Sequence, residues 1–216
     1  MIISFLIATF SANCFSQKKL NIYAAANYGL YKVKPSDVYT SAISSNFSGG
    51  IGAHLVYKLL PNLNIVALPV LQQRGYTSTN IYHNYDIRVT YIDIPIGIEY
   101  NYTSAKMKQF FRVGEKDAKL LFFGIGLYEG FAINGKFTDK FTNDPSVKIK
   151  FGESLTDNRS NLDFGLNFNV GLNIRRFRIG LQKQLGLKNV VPNARQAAEG
   201  SIKTRGFGMF IAYKVF

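Results

Sequence analysis

Leu162 to Ile174 sorts into two alternating sets of residues, and this constrains the fold more than any other feature of the chain. Leu162, Phe164, Leu166, Phe168, Val170, Leu172 and Ile174 share one parity, and Asp163, Gly165, Asn167, Asn169, Gly171 and Asn173 share the other. Side chains of a strand alternate between two faces, whereas those of a helix recur every 3.6 residues, so no helix could separate these residues so well. The segment reads as a strand with one apolar face and one small-or-polar face.

The pattern recurs along the chain in segments of about ten residues separated by polar breaks. The segments are Leu20 to Tyr31, Phe47 to Leu59, Leu63 to Tyr76, Arg88 to Tyr102, Lys119 to Ile133, Asn161 to Ile174, Phe177 to Leu187 and Thr204 to Phe216. In the fourth, Ile92, Ile94, Ile96 and Ile98 oppose Asp93, Gly97 and Glu99; in the fifth, Glu129 interrupts the apolar side. The third is apolar on both faces and contains Pro69, which cannot donate to a ladder, so its register is open. After the N-terminus no apolar run reaches the roughly 18 residues that a membrane-spanning helix requires. A chain of 216 residues rich in Phe, Tyr and Gly is therefore expected to be one all-β domain.

The breaks carry topological information. Long ones follow the odd segments, at Lys32 to Asn46, Thr77 to Ile87, Asn134 to Ser160 and Lys188 to Lys203, and short ones lie at Leu60 to Asn62 and Arg175 to Arg176. Transmembrane barrels have short periplasmic turns and longer extracellular loops. The basic break from Thr103 to Ala118 departs from this alternation. A soluble lipocalin would also alternate, but with its apolar face inside. Here the polar face is rich in Gly, Asn and Asp, which suits a crowded interior, and Tyr31, Tyr57, Tyr76, Tyr100, Tyr102 and Tyr213 recur near segment ends as an aromatic girdle would. The expected fold is an eight-stranded antiparallel up-and-down transmembrane β-barrel.

Residues 1–16 carry an apolar run, Ile2 to Phe10, followed by small and polar residues, the shape of a secretory signal without a preceding Lys or Arg. Cleavage after Ser16 would leave Gln17 first and place the barrel in residues 17–216; lipidation of Cys14 is the alternative.

YIDIPIGIEY (Tyr91 to Tyr100), FFGIGLYEGF (Phe122 to Phe131), GLKN (Gly186 to Asn189) and FSQ (Phe15 to Gln17) resemble segments of the small outer-membrane β-barrel (porin-like) family common in Bacteroidetes. The resemblance implies residence in the outer membrane of a Gram-negative cell, contact with its lipid and lipopolysaccharide, and recognition of the C-terminal strand by the barrel-assembly machinery through Phe216. The usual second aromatic residue is replaced by Lys214, which leaves the end register open.

No catalytic, cofactor-binding or metal-binding residue is expected. Gly124, Gly126 and Gly130 lack the spacing and the following helix of a phosphate loop. His54, on the same parity as Ser48, and His83, in a break with Ser78 and Asp86, are the histidines that a lipid-modifying enzyme would use. The net charge of +13 is spread over breaks and segment ends, which argues against nucleic acid as a partner. On the polar face Lys58, Arg74 and Lys214 balance Asp93, Glu99 and Asp163, and the expected pairs are Arg74 with Asp93 and Lys58 with Glu99. These expectations favour a structural or loop-mediated interaction protein over a lipid-modifying enzyme or a narrow passive channel.

Overall fold

The computed structural model describes residues 20–35, 42–79, 84–102, 121–141, 145–196 and 201–216. The signal segment, His83 and most of the basic break lie outside them. The strands, in chain order, are β1 (Leu20–Pro35), β2 (Ala42–Leu60), β3 (Leu63–Ala67), β4 (Val70–Thr79), β5 (Asn84–Tyr102), β6 (Leu121–Asp139), β7 (Val147–Lys148), β8 (Leu162–Ile174), β9 (Phe177–Gly186) and β10 (Ile202–Lys214).

Pairing closes a ring. β1 pairs with β2, β2 with β3 and β4, both of these with β5, and then β6, β8, β9 and β10 follow in turn until β10 returns to β1, all antiparallel. β3 and β4 are two halves of one stave, interrupted at Leu68 and Pro69. Proline has no N–H to give the ladder, but its carbonyl still accepts from the Ala53 amide at 2.9 Å. β7 is a two-residue ribbon that extends the sheet beside β6. The result is an eight-stave antiparallel up-and-down barrel whose staves are each paired on both sides, so that among the described residues the ring itself is closed.

The inside and outside of the ring follow the expected parity. Ile92, Ile96 and Ile98 are 41%, 40% and 51% exposed, whereas Asp93 and Glu99 are fully buried in the lumen. Ile51, Leu71, Ile125, Leu127, Phe164, Ile179, Met209 and Ile211 complete an apolar belt around the outside. A soluble barrel would invert this arrangement, and a transmembrane barrel requires it.

Three sequence expectations are corrected here. Tyr31 and Tyr76 are buried and face the lumen, so of the expected girdle Tyr100, Tyr102 and Tyr213, at the turn end, are the exposed members. Several strands outrun their alternating cores: β2, β5 and β6 each reach 19 residues, because beyond the apolar belt the outward face turns polar while inward positions such as Ile87 and Val89 of β5 turn apolar, so the belt's pattern no longer marks the strand. The break expected from Asn134 accordingly begins as strand, and a bulge beside Thr90 and Tyr91 lets β6 continue to Asp139. At the C-terminus the ladder runs regularly as far as Lys214 opposite Tyr23. Beyond it, the Val215 amide donates to the Ile22 carbonyl at 2.8 Å and the Ile22 amide to the Phe216 carbonyl at 3.1 Å.

Gly97 and Gly126 face each other across β5 and β6, and a methyl group added at Gly97 would stand 2.6 Å from the Gly126 Cα. That contact is with backbone and cannot be relieved by a rotamer change. Two substitutions at adjacent positions therefore act by different routes. Ile96→Arg should cost about 2 to 4 kcal/mol in bilayers, the figure for a basic residue on the lipid face at mid-depth. Gly97→Ala should destabilise in detergent and bilayer alike, since it forces two strands apart. Urea unfolding of both variants in vesicles and in micelles checks the contrast.

Candidate functional site

Two guanidinium centres occupy the lumen, and an apolar cap packs over its loop end. Arg74 on β4 reaches Asp93 on β5 and Asp163 on β8, the latter at 2.6 Å. Register explains how two carboxylates meet one arginine. Asp93 and Asp163 are the cross-strand neighbours of Gly130 on either side of β6, and the missing side chain at Gly130 leaves the lumen open between them. Asp163 also accepts from the hydroxyls of Tyr128 at 3.1 Å and Thr204 at 2.7 Å. Gln72 donates to Asp93, and the Tyr31 hydroxyl stands 3.1 Å from Gln72 Oε1 and 2.6 Å from Gln184 Oε1. The rings of Tyr91, Tyr128 and Tyr31 surround the guanidinium at 4.5, 5.3 and 5.4 Å from its carbon. Arg74 and Asp93 are thus paired as the sequence suggested.

Nearer the turns, Glu99 pairs with Arg178 of β9, not with Lys58. Lys58 has the inward parity but sits exposed at the strand end, at the irregular register between Lys58 and Leu60, so its ammonium does not enter the lumen. Arg178 lies 4.3 Å from the Phe122 ring centre, and Asn64 donates to Glu99 at 3.2 Å. Lys214 is only partly buried and takes no part in this pair.

Above Arg74 the loops turn in. Ile149 from the β6–β8 loop and Val190 and Val191 from the β9–β10 loop are buried against Val33, Tyr76, Ile87, Val89, Tyr91 and Ile202 of the barrel wall. Between this cap and Arg74 remains a cavity of about 30 Å³, lined by Tyr31, Tyr76, Val89 and Val190 among others. That is space for one or two waters.

The two loops are cross-linked through Glu153. Its carboxylate accepts from the Ser160 hydroxyl at 2.6 Å, the Asn193 amide at 2.9 Å and the Lys188 ammonium at 3.3 Å. The Ser160 amide donates to the Val190 carbonyl at 2.9 Å, and Arg159 reaches the Tyr76 hydroxyl at 2.6 Å. Asn189 closes its own loop by accepting from the Val191 and Ile202 amides at 3.0 and 2.8 Å.

Of the two histidines singled out in the sequence, His54 lies among the described residues and His83 outside them. His54 is buried with its ring edge-on to Phe210 at 4.7 Å, and its Nδ1 has no protein partner. Ser48 lies six residues away along the same strand, roughly 20 Å at the strand rise, too far to act with it. Asp86 is held by Asn46 at 2.6 Å and Arg88 at 3.0 Å. Gly124, Gly126 and Gly130 are interior strand positions of β6.

Arg178 was not foreseen, although it lies between the outward Phe177 and Ile179 and parity alone places it inside. The cap was also missed; its one signal is the apolar pair Val190 and Val191 inside an otherwise polar break.

No family model and no curated protein matches the chain. Among solved structures it is similar to Ail, the attachment invasion locus protein of Yersinia pestis, at 12% identity over 92% of this chain and 99% of that one, with a TM-score of 0.44. Neisserial surface protein A (NspA) is 8% identical over 89% and 96%, with a TM-score of 0.48. The outer membrane protein OprG from Pseudomonas aeruginosa is 9% identical over 91% and 96%, with a TM-score of 0.45. The barrel itself stands on its own closed ring of hydrogen bonds.

Two outcomes follow. Arg74→Met strands two buried carboxylates and should destabilise by about 3 to 5 kcal/mol, and adding Asp93→Asn and Asp163→Asn should recover much of the loss in urea titrations. At the cap, hydrogen bonds from Ser160, Asn193 and Lys188 hold the Glu153 carboxyl below its ordinary value of 4.5. A depressed carboxylate contributes stability that is complete above the unfolded value and lost as pH falls through the folded one. Hydrogen exchange in the segment 187–196, corrected for intrinsic rate, should therefore accelerate below about pH 4.5. Glu153→Gln should remove that acid dependence.

Proposed function

We propose that the protein resides in the outer membrane with its cap outside, and that it acts there as a structural or interaction protein through the cap and not as a pore. The observation that carries this reading is the filled lumen: eight staves leave an interior that side chains can fill, and here two guanidinium centres and an apolar cap fill it. The apolar belt supports insertion, and the long β6–β8 and β9–β10 loops, set against the two-residue turns β2–β3 and β8–β9 at the other end, support the cap end as the outer one, the break between β5 and β6 being the exception.

The cap has the character of a display platform. It is cross-linked and anchored in the barrel wall, yet presents Phe141 and Leu155 to solvent at 59% and 72% exposure. A rigid scaffold carrying exposed apolar loop residues suits recognition. Membership of the porin-like group of Bacteroidetes belongs to the same reading. The segments that carry the resemblance supply Asp93 and Glu99, then Tyr128 and Gly130, then Asn189, each with a part in the lumen or cap. Insertion would proceed through the assembly machinery, with β10 and Phe216 as the segment presented to it.

The test uses the full chain with Cys14 replaced by serine. In intact cells a membrane-impermeant maleimide should label Leu155→Cys in the cap and leave Arg176→Cys in the β8–β9 turn unlabelled. Planar bilayers containing the protein should show no stable conductance steps. Reversed labelling, or steady open-channel current, would overturn the reading.

A further inference from the structure

The outward-facing ladder contains one position that breaks the apolar belt. A single cross-strand row runs through Ile125, Phe168, Lys183, Phe207, Leu30 and Phe47, on β6, β8, β9, β10, β1 and β2. Lys183 is its one charged member, and it is exposed. The next row toward the loops reads Leu127, Leu166, Leu185, Arg205 and Lys32, and in it Arg205 and Lys32 stand directly opposite each other on β10 and β1, both exposed. Lys183 is the diagonal neighbour of Arg205, two residues away in register, which places their Cα atoms about 7 to 8 Å apart. Three basic side chains on adjacent staves thus gather at the loop-side margin of the belt.

Nothing acidic in the surrounding sheet answers them. β1, β9 and β10 contain no Asp or Glu. The outward carboxylate Glu129 on β6 is separated from Arg205 by two staves, β8 and β9, and the one acid of β8, Asp163, faces the lumen. Like charges placed opposite one another destabilise a sheet, so a fixed cluster of this kind calls for an external anion. A lysine flanked by Phe168, Phe207 and Leu181 on a lipid-facing surface extends its stem along apolar neighbours and sends its ammonium to the nearer interface. Here that is the loop side, where Arg205 and Lys32 already stand.

We propose that Lys32, Lys183 and Arg205 form a site for the phosphates of a phosphorylated glycolipid in the outer leaflet, with its acyl chains lying on Leu30, Phe168, Leu181 and Phe207. The inference rests on the reading that the loop end faces outward. An anion that carries its own hydrocarbon satisfies both parts of the surface, cations above and apolar rows below. The cluster spans two inter-strand spacings, about 10 Å, which is wider than one phosphate and fits a headgroup bearing two. Arg205 supplies the planar fork that grips phosphate oxygens in pairs, and the two lysines act as point charges.

The experiment places the full-length protein in phosphatidylcholine nanodiscs containing bisphosphorylated lipid A, dephosphorylated lipid A or phosphatidylglycerol, and measures co-retained lipid by native mass spectrometry. Lipid A should be enriched over phosphatidylcholine, and each of Lys32→Gln, Lys183→Gln and Arg205→Gln should lower the enrichment about fivefold. The charge-preserving set Lys32→Arg, Lys183→Arg and Arg205→Lys should restore most of it, which separates charge from folding. Lys136→Gln and Lys148→Gln, outside the cluster, should change nothing. Enrichment that survives the triple glutamine variant, or equal retention of dephosphorylated lipid A, would overturn the site. Equal retention of phosphatidylglycerol would overturn the glycolipid as its occupant. Reversed labelling of Leu155→Cys and Arg176→Cys would remove the outward reading and this site with it. Correct labelling without lipid A enrichment overturns the site alone.

Discussion

A guanidinium buried between two carboxylates and three tyrosine rings is the interaction on which the rest of the barrel depends. Arg74 comes from β4, Asp93 and Tyr91 from β5, Tyr128 from β6, Asp163 from β8, Gln184 from β9, Thr204 from β10 and Tyr31 from β1. Seven of the eight staves therefore meet in one hydrogen-bonded layer. A one-residue slip of any of them would turn its polar member toward lipid and an apolar residue into the lumen. The layer thus specifies register all around the ring, whatever its net contribution to stability. That contribution can be small, because burying charges costs nearly as much as pairing them returns.

Glycine makes the arrangement possible, and it does so by position. β6 presents Gly124, Gly126, Tyr128 and Gly130 to the lumen, and each glycine stands in register with a larger or polar side chain or with another glycine on its neighbours. At Gly130 both neighbours are aspartates, and a methyl group there would stand 3.4 Å from the Tyr91 ring and 3.5 Å from the Arg74 guanidinium. Small residues on one stave are the space into which charged residues of adjacent staves reach. The barrel's narrow bore would otherwise exclude a network of that size.

How much of this was legible in the sequence depends on the range of each signal. Alternation is local, so Asp93, Glu99 and Asp163 could be placed inside from a few neighbours each, and Arg74 with Asp93 followed from shared parity on consecutive staves. Glu99 meets Arg178 across the lumen, 79 residues away in sequence. Parity places both inside but does not choose between Arg178 and Lys58, since that choice depends on where Lys58 emerges at the end of β2. Tyr31 and Tyr76 show the cost of reading end position ahead of parity: each lies near an expected strand end, yet each has the inward parity and is buried. The cap was least legible, because Ile149, Val190 and Glu153 belong to irregular loops where no period marks a face and only the closed ring brings them together.

The same sorting accounts for the chain's charge. Among the described residues the lumen takes up Arg74 and Arg178 together with Asp93, Glu99 and Asp163, so the interior holds more acid than base. Among those residues the excess of base over acid therefore lies outside the lumen, on strand margins, turns and loops. It is not spread evenly there. β5 and β6 carry outward acids beside their bases, with Asp86 paired to Arg88 and near Lys140, while the arc formed by β9, β10 and β1 carries bases alone. Charges held apart from their counterions on an apolar surface act over a longer range than the same charges in water, because the low-dielectric neighbourhood screens them less. An arc of strands without acid on one side of the barrel thus gives the molecule a distinct electrostatic face on its outer surface.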